Sequence, residues 1–389
     1  MSSLSRRRLV AAAALLSLGR TARAQDAPIG VGALLSLTGP GASLGIPQRN
    51  TFELLPKTIA GRALRLAVLD DATDSSAAVR GIRKLIDEER VDAVIGPTVT
   101  PPSLAVLDAI GRAELPMLSL AGASAIVEPQ EGARRWAFKT APADRLMTTP
   151  VAAHMARNGV RSYAVIAFAT AFGDGQITAL DASARPHGLR NAVTVRYNPG
   201  DASVTPQVLR MIAARPDAMF VGASGTPGTT PIIELRSRGW TGPIYGTQGL
   251  GNPEALRVGG KALEGLVFTV TPALVAEQLP DSNPVKAVAV AYGQAYEDRF
   301  GRGTRSLFGA MVWDSFLLLE RAAVPALQAG QPGTAEFRRA LCDGLEGVHG
   351  LVGVQGVYDL SRDDHSGSGP SAQVLVTVKN GAWLYLPEQ

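Results

Sequence analysis

Short apolar runs alternate along the chain with segments of helical period. The predicted strands in the first part are 31–37, 64–69, 91–95 and 117–120, and the predicted helices between them are 77–90 and 103–113. Strands that alternate with helices at this spacing form parallel βαβ units, and the helices cover both faces of the sheet. The pattern therefore predicts an α/β chain built on a doubly wound parallel sheet.

A second series of the same kind follows the first. Its predicted strands are 163–168, 192–197, 218–221 and 244–245. The stretch 283–329 is predicted to be mostly helical, with its best helices at 287–300 and 307–323, and the last predicted strands are 352–358 and 373–378. A chain of 389 residues, of which 46% are hydrophobic and 19% charged, is long enough to bury two cores of ordinary size. We therefore expect two lobes, each built on its own sheet.

The first two dozen residues have the pattern of an export signal. Arginines at 6–8 precede an apolar run over 9–18, and residues 22–24 form an A-x-A cleavage step. The run is much shorter than the roughly 20 residues that a membrane-spanning helix needs. We predict a signal peptide over 1–24, cleavage after Ala24 and a periplasmic mature protein. The arginine cluster fits both the general secretory route and the twin-arginine route.

The basic charge of the chain belongs to that signal. The formal net charge is +4, and residues 1–24 hold five arginines and no acidic residue, so the mature chain has a net charge near −1. No surplus of positive charge remains to attract nucleic acid or anionic lipid, and we predict neither as a partner. Cys342 is the only cysteine, so it cannot form an internal disulfide, and we expect it to be a buried apolar residue.

Three loops rich in glycine, serine and threonine follow predicted strands of the first series. They are 38–43, 96–100 and 121–124. In open parallel sheets, ligands bind beyond the carboxyl ends of the strands, where helix N-termini offer free N–H groups and a partial positive charge. Each loop alone is also explained as a turn with a helix cap. Three of them at matching strand ends favour a site that holds a carboxylate with hydroxyl groups and backbone donors.

Six motifs in a fixed order carry a more specific resemblance. They are LSLTGPGASLG at 35–45, IGPTVTPPSLAV at 95–106, LPMLSLAGASA at 115–125, AFGDG at 171–175, GPIYGTQGLGNPEAL at 242–256 and MVWDSFLLL at 311–319. Behind an export signal, this series resembles the leucine/isoleucine/valine-binding family of periplasmic proteins over essentially the whole mature length. The resemblance implies the type I periplasmic binding fold, with two lobes joined by three hinge segments. It also implies a small-molecule ligand and a partner, the permease subunits of an ABC importer.

The family fold implies three crossings of the chain between the lobes. We expect them near 139–142, 269–272 and 349–353. The corresponding division gives lobe 1 the residues 25–140 and 271–350, and lobe 2 the residues 141–270 and 351–389. Closure about such a hinge buries the ligand and presents a surface that the importer distinguishes from the open form. A monomer suffices for this binding, because each chain holds its own pair of lobes.

One position departs from the family pattern. Relatives that bind α-amino acids have an acidic residue in the second lobe for the ligand ammonium, and motif alignment places Gln248 at that position. Loss of one partner of a buried ion pair costs roughly 3–5 kcal/mol, so an ordinary amino acid is disfavoured as the ligand. An amide suits a hydroxyl, a carbonyl or a second carboxylate. We predict a small carboxylate with an apolar or aromatic body; branched-chain amino acids and short amides are the alternatives.

The predicted binding residues divide by role. The acid group is expected against Thr98, Thr100 and the main chain of 121–124, and the apolar body against Leu44 and Phe172. Some relatives have an aromatic residue in place of Leu44 and a tyrosine in place of Phe172, so both positions make this cleft more apolar. The full predicted set is Leu44, Thr98, Thr100, Ala121, Ala123, Ser124, Phe172, Thr226 and Gln248.

Catalysis is not expected from this sequence. The four histidines lie far apart without the spacing of metal ligands: His154, His187, His349 and His365. No lysine of the phosphate-binding loop follows the glycines of 39–45. We predict no catalytic residue, metal or cofactor. A sensor that passes its ligand signal to a membrane receptor is the alternative function. Asp314, inside an apolar helix, is expected to be a buried cap or hinge partner.

Overall fold

The computed structural model describes residues 27–387, so the predicted signal peptide lies outside the described residues. A first sheet has the strand order β2-β3-β1-β4-β5-β6 and is parallel except for the pairing of β2 with β3. Its strands are β1 Ile29–Leu35, β2 Thr58–Ile59, β3 Arg62–Asp70, β4 Ala93–Ile95, β5 Met117–Ser119 and β6 Ala137–Lys139. The chain winds outward from β1 in both directions, and such a reversal opens a crevice at the carboxyl ends of β1 and β4.

A second sheet has the order β15-β14-β11-β10-β9-β7-β8. Its strands are β7 Ser162–Phe168, β8 Arg190–Tyr197, β9 Ala218–Gly222, β10 Ile244–Gly246, β11 Val267–Val270, β14 Val374–Lys379 and β15 Ala382–Leu386. The strands from β7 to β11 are parallel, and β14 and β15 add an antiparallel edge. The winding again reverses, here between β7 and β9, so this sheet has its own crevice.

Helices cover both sheets. The α-helices of the described residues are α1 Ala42–Leu54, α2 Ser75–Asp87, α3 Thr100–Ala113, α4 Asp144–Arg157, α5 Ala171–Ala184, α6 Thr205–Ala213, α7 Thr230–Ser237, α8 Pro253–Gly259, α9 Lys286–Phe300, α10 Leu307–Ala329 and α11 Ala335–Glu346. This architecture confirms the predicted α/β class with two doubly wound sheets. Over residues 27–387, no helix has both the length and the apolar character of a membrane span.

The packing of α2 shows how local sequence positions these layers. Asp74 begins the helix by accepting a hydrogen bond from the Ala77 N–H at 2.7 Å, as a helix cap does. Ile82 and Leu85 are fully buried on the helix face that meets the sheet. Gly32 of β1 permits this close approach, because a Cβ atom at that position would lie 2.8 Å from Leu85 Cδ1. The strand itself is buried along its whole length, as expected of a parallel strand covered on both faces.

The predicted strand 352–358 is wrong. The structure has a hairpin there, formed by two-residue strands, β12 Leu351–Val352 and β13 Val357–Tyr358. In the turn between them, the N–H groups of Val354 and Gln355 donate to the carboxylate of Asp314 at 2.7 and 3.0 Å. These donors are therefore not available for a continuous strand, and the apolar alternation of the segment did not reveal that.

Asp314 connects the three places where the chain passes between the two sheets. This carboxylate on α10 is fully buried and accepts a hydrogen bond from the Tyr358 hydroxyl at 2.9 Å. The same hydroxyl lies 3.4 Å from the carbonyl oxygen of Thr140 in the first crossing. In the second crossing, the Thr271 hydroxyl donates to Gln355 Oε1 at 3.2 Å. Gln355 and Tyr358 belong to the third crossing, which leads from α11 towards β14. Asp314 thus lies at the centre of a network that joins all three crossings.

After the second crossing the chain returns to the first sheet. Helix α10 packs against both α1 and α11. The Gly333 N–H donates to Asp92 at 2.6 Å, and Arg135 forms an ion pair of 2.9 Å with Asp343 of α11. The strand-poor stretch that begins near residue 283 therefore covers the first sheet.

The segment after the third crossing contacts both sheets. The His365 ring stacks on Phe138 of β6 with ring centroids 3.9 Å apart, and its Nδ1 lies 2.8 Å from the Ala137 carbonyl oxygen. Burial lowers the pKa of His365. Strands β14 and β15 then join the second sheet. The predicted lobe boundaries at single residues stay predictions.

Candidate functional site

A cavity of about 290 Å³ lies between the two sheets. Its walls come from loops at the carboxyl ends of strands, including Gly41 after β1, Thr98 after β4 and Gly122 after β5. From the second sheet, Phe172 follows β7 and Gln248 follows β10. Ligands of open α/β sheets bind at this position. The volume is close to the lower end of the roughly 300–1,000 Å³ of typical ligand pockets, which favours a small ligand.

The lining of the cavity is apolar with a few uncharged polar groups. Its larger apolar side chains are Leu44, Leu120, Phe168, Phe172, Phe308 and Met311. Its polar side chains are Thr73, Thr98, Thr100, Thr170, Ser224 and Gln248. Within residues 27–387, no charged side chain lines the cavity. A ligand cation enclosed here would have no carboxylate partner, and an unpaired buried charge is very costly.

The predicted binding residues divide into two groups in the structure. Those that line the cavity are Leu44, Thr98, Thr100, Phe172 and Gln248. Those that do not line it are Ala121, Ala123, Ser124 and Thr226. The backbone of the third loop still reaches the cavity through Gly122. This residue lies within the predicted main-chain segment 121–124 but was not in the predicted residue set.

Thr98 has its hydroxyl group engaged inside the first lobe. Its Oγ1 accepts a hydrogen bond from the Ser36 N–H at 2.9 Å and donates to Gln48 Oε1 at 2.6 Å. A hydroxyl has a single proton, so this side chain has no donor left for a ligand carboxylate. Thr98 instead holds together the loops after β1 and β4.

Thr100 has a free donor at the start of α3. Its side chain lines the cavity, and its hydroxyl has no hydrogen-bond partner among residues 27–387. Pro101 and Pro102 follow it and carry no N–H group, so Thr100 is the only one of the first three helical residues with a backbone donor. The positive end of the helix dipole lies here as well. This corner of the cavity therefore favours a negatively charged group.

Gln248 is the polar group of the second lobe that faces the cavity. It begins a short 3-10 helix, Gln248–Leu250, and its side chain is 3% exposed. Thr247 shapes this turn, because its hydroxyl donates to the Ala223 carbonyl at 2.7 Å and accepts from the Gly249 N–H at 3.2 Å. The loop is therefore held in place by the residue that follows β9, and Gln248 does not face bulk solvent.

Ser124 uses its polar groups on Asp144 and not on the cavity. The Ser124 N–H donates to Asp144 Oδ2 at 3.1 Å, and the Ser124 hydroxyl accepts from the Asp144 N–H at 3.3 Å. Gln176 donates to the other carboxylate oxygen at 2.7 Å. Burial raises the pKa of Asp144 despite these contacts and the nearby charge of Lys139. The predicted carboxylate contact at Ser124 therefore has an internal partner in its place.

Lys139 lies behind the same wall. Its Nζ donates to the carbonyl oxygen of Gly122 at 2.5 Å, while Gly122 itself lines the cavity. Burial lowers the pKa of Lys139 to about 8, and the Asp144 carboxylate opposes that shift. The charges of this region are thus separated from the cavity by its wall.

Contacts across the cleft close one side of the cavity. The Thr226 N–H of the second lobe donates to the hydroxyl of Ser43 on α1 at 3.2 Å. A Cβ atom on Gly225 would lie 2.9 Å from that hydroxyl, so the two loops touch. Thr226 therefore lies at the contact between the lobes and not on the cavity surface.

Phe308 and Met311 are cavity residues that sequence reasoning missed. Both belong to α10, which reaches the cavity from the side of the first sheet. The motif MVWDSFLLL, which begins at Met311, was assigned to the first lobe without a role in the site. Helical periodicity shows which face is apolar, but it does not show which neighbour that face meets.

The part of the chain that the structure describes has no candidate metal site. Among residues 27–387, no three histidine, cysteine, aspartate or glutamate side chains lie close enough together to hold an ion. Cys342 is buried on α11, and burial raises the pKa of its thiol to about 12.

Two doubly wound sheets with a cavity between their strand ends are typical of two-lobed binding proteins. The profile of the family described as periplasmic binding protein matches residues 28–382. The chain therefore belongs to the periplasmic binding protein family, which confirms the resemblance inferred from its motifs. Proteins of this family bind small molecules and deliver them to ABC transporter permeases.

Relatives show how far the similarity extends. An extracellular ligand-binding receptor from Rhodopseudomonas palustris HaA2 is 36% identical, with a TM-score of 0.89 over 93% of this chain and 100% of its own. A Leu/Ile/Val-binding protein of Rhizobium johnstonii is 24% identical over 329 residues, which cover 82% of this chain and 84% of the relative. A solute-binding protein of an R. palustris ABC transporter, solved in complex with benzoate, shares the fold at 18% identity, with a TM-score of 0.77 over 92% of this chain and 96% of its own.

Proposed function

We propose that this protein is the periplasmic solute-binding component of an ABC importer, and that it encloses a small carboxylate with an apolar or aromatic body. The observation that carries the proposal is the uncharged cavity, which has a free donor at Thr100 and an amide at Gln248. Hydroxyl and backbone donors at a helix N-terminus stabilise a carboxylate without a counter-charge, whereas a desolvated ammonium needs an acidic partner.

The proposed roles follow from the contacts of each side chain. Thr100 binds the carboxylate at the start of α3, and Thr98 keeps the adjoining loops in position. Leu44 and Phe172 contact the apolar body of the ligand from opposite lobes. Gln248 binds the ligand from the second lobe. The loop Ala121, Ala123 and Ser124 shapes the wall that presents Gly122, and Thr226 secures the closed cleft through Ser43.

We further propose that the two lobes close about the three chain crossings, with the division at 25–140, 141–270, 271–350 and 351–389. The permease subunits of the importer are the proposed partner, and the signal peptide directs the protein to the periplasm. The benzoate complex of the R. palustris relative supports an acid as the ligand. The name of the Rhizobium relative supports the alternative, a branched-chain amino acid.

A pair of ligands with one carbon skeleton separates these alternatives. Leucine and 4-methylpentanoate differ only by the ammonium group, and both are titrated into residues 25–389 by calorimetry, together with benzoate and 4-methylpentanamide. We expect 4-methylpentanoate or benzoate to bind and leucine to bind at least tenfold more weakly, because its ammonium has no partner. Binding of leucine or valine without binding of either acid contradicts the proposal.

Two variants test the roles of the polar residues. Gln248→Glu supplies the missing acidic group and should shift the preference from 4-methylpentanoate towards leucine. Thr100→Val removes a hydrogen bond to a charged group and should weaken acid binding by about tenfold or more at little cost in stability. Thr98→Val is the matched control, because it makes the same substitution at a threonine whose hydroxyl has internal partners. It leaves the Ser36 N–H and Gln48 without their partner, so, unlike Thr100→Val, it should reduce the stability of the protein.

Uptake separates import from sensing. A strain that lacks the gene should lose high-affinity uptake of the labelled acid that binds in the calorimeter. A sensor for a membrane receptor would leave uptake unchanged.

A further inference from the structure

Gln373 lies behind Gln248 and does not line the cavity. It directly precedes β14 and is 6% exposed. Its Nε2 donates to the carbonyl oxygen of Ala372 at 2.8 Å and to Gln248 Oε1 at 3.4 Å. The cavity amide of Gln248 is therefore in contact with a second, buried amide.

The backbone decides which way both amides face. If the Gln373 amide were reversed, its Oε1 would lie 2.8 Å from the Ala372 oxygen, and two acceptors at that distance repel each other. The Gln373 nitrogen must therefore face this carbonyl. The same nitrogen faces Gln248, so the atom of Gln248 that meets it must be the oxygen. Gln373 Oε1 has no partner in the described chain, and the reversed amide would leave its nitrogen at that position instead.

The nitrogen of Gln248 is consequently turned to the cavity. It has no hydrogen-bond partner among residues 27–387, and it is not one of the fully enclosed atoms that lack a partner. Because the residue is 3% exposed and lines the cavity, this accessible nitrogen faces the cavity. Gln248 thus offers an N–H donor and not a carbonyl acceptor.

We propose that Gln373 is a positioning residue that makes Gln248 a donor, so that the preferred ligands are carboxylic acids with a second acceptor, a carbonyl or a second carboxylate. This inference rests on the proposed function. Thr100 in the first lobe receives the acid group, and Gln248 in the second lobe receives the other acceptor. A purely apolar acid offers the Gln248 N–H no acceptor, and a ligand N–H group meets it donor to donor.

Benzoates with one varied substituent test the selectivity of the wild-type protein. The probes are the 3- and 4-isomers of acetylbenzoate, isopropylbenzoate and aminobenzoate, measured by calorimetry. Acetyl and isopropyl groups have the same number and branching of non-hydrogen atoms, but only acetyl has an acceptor. We expect the better acetylbenzoate to bind about tenfold more tightly than its isopropyl partner, which corresponds to 1.4 kcal/mol. Acid binding without this preference overturns the inference and leaves the proposed function standing.

Gln373→Glu tests the positioning role without a change in any cavity residue. A carboxylate at 373 accepts only, so it should turn away from the Ala372 carbonyl oxygen and towards Gln248, whose nitrogen then faces it and whose oxygen faces the cavity. The preference should then invert, with aminobenzoate gaining and acetylbenzoate losing about tenfold in the ratio of their affinities. A purely structural role for Gln373 would weaken both ligands alike. An unchanged ratio in a variant with native circular dichroism overturns the proposal.

Gln373→Met keeps the experiment decisive if the acidic variant does not fold. Methionine has a similar length and no polar group, so the Gln248 amide is no longer oriented. The acetyl-to-isopropyl preference should fall by at least about threefold, and its persistence overturns the proposal. Failure of every acid to bind the wild type, with leucine bound, is the distinct outcome that contradicts the proposed function itself.

Discussion

Asp314→Asn is expected to change how the stability of the protein depends on pH. In the wild type, Oδ1 of Asp314 accepts from the Val354 N–H at 2.7 Å, and Oδ2 accepts from the Gln355 N–H at 3.0 Å and the Tyr358 hydroxyl at 2.9 Å. Burial nevertheless outweighs these hydrogen bonds and raises the pKa of Asp314 to about 6 from an ordinary value of 3.8. The folded state therefore binds this proton more tightly than the unfolded state does.

The sign and size of the effect follow from that difference. A raised folded pKa stabilises the protein fully at acidic pH, and this contribution is lost as the pH rises from 3.8 through about 6. About two pKa units correspond to roughly 3 kcal/mol over the full range, and about 2 kcal/mol of it falls between about pH 4.5 and pH 7.5. Asparagine does not titrate. Its amide nitrogen faces the Val354 N–H, which costs about 1–3 kcal/mol at every pH.

Urea unfolding of the wild type and the variant at both pH values measures this contribution. Other carboxylates with a raised pKa, such as Asp144 and Asp92, are common to both proteins, so their effects cancel in the difference. The difference in unfolding free energy, wild type minus Asp314→Asn, should be about 2 kcal/mol larger at about pH 4.5 than at about pH 7.5. A difference that is the same at both pH values within about 0.5 kcal/mol refutes the reasoning. Tyr358→Phe removes one donor to the carboxylate and should move the loss of stability to higher pH.

Three further predictions concern the cleft and the single thiol. Ser43→Ala removes the acceptor of the Thr226 N–H across the cleft, so ligand release measured by stopped flow should accelerate about two- to fivefold, whereas Thr226→Val keeps that N–H and should not change it. Gly122→Ala places a Cβ atom 2.8 Å from Phe172 Cε2, and calorimetry should show ligand affinity at least about fivefold weaker from this overpacking. An unchanged affinity would show that Phe172 moves aside freely. Because burial raises the pKa of Cys342 to about 12, the native protein should not react with a thiol reagent at neutral pH, and the thiol should react once urea unfolds the chain.

The longer elements were predictable from sequence, because their patterns are set by burial on both faces of a sheet. The strand predicted at 163–168 lies within Ser162–Phe168, and the helix predicted at 307–323 lies within Leu307–Ala329. Two elements were not predicted from the sequence. Strand Ala137–Lys139 has too few residues to show a period, and helix Ala335–Glu346 comes shortly after the stretch 283–329, which was predicted to be mostly helical. Leu351–Tyr358 was misread because Asp314, far away in sequence, takes the N–H groups of its turn.

The same distinction applies to the candidate site. Thr100 and Gln248 were predicted because each follows a strand at a recognisable motif, and the structure places both at the cavity. Thr98 follows a strand equally well, yet its hydroxyl donates to Gln48, a partner that no local pattern indicates. Ser124 likewise pairs with Asp144 across a chain crossing.

The sequence by itself determined the class of fold, the order of its elements and the family, because these depend on periodicity and on motifs that are local in the chain. Only the tertiary structure decided which polar groups are free to meet a ligand. Whether a hydroxyl or an amide has a donor left depends on its partners, and those partners come from distant segments. Gln248 shows this most clearly, since the carbonyl of Ala372, reached through Gln373, determines that its nitrogen faces the cavity.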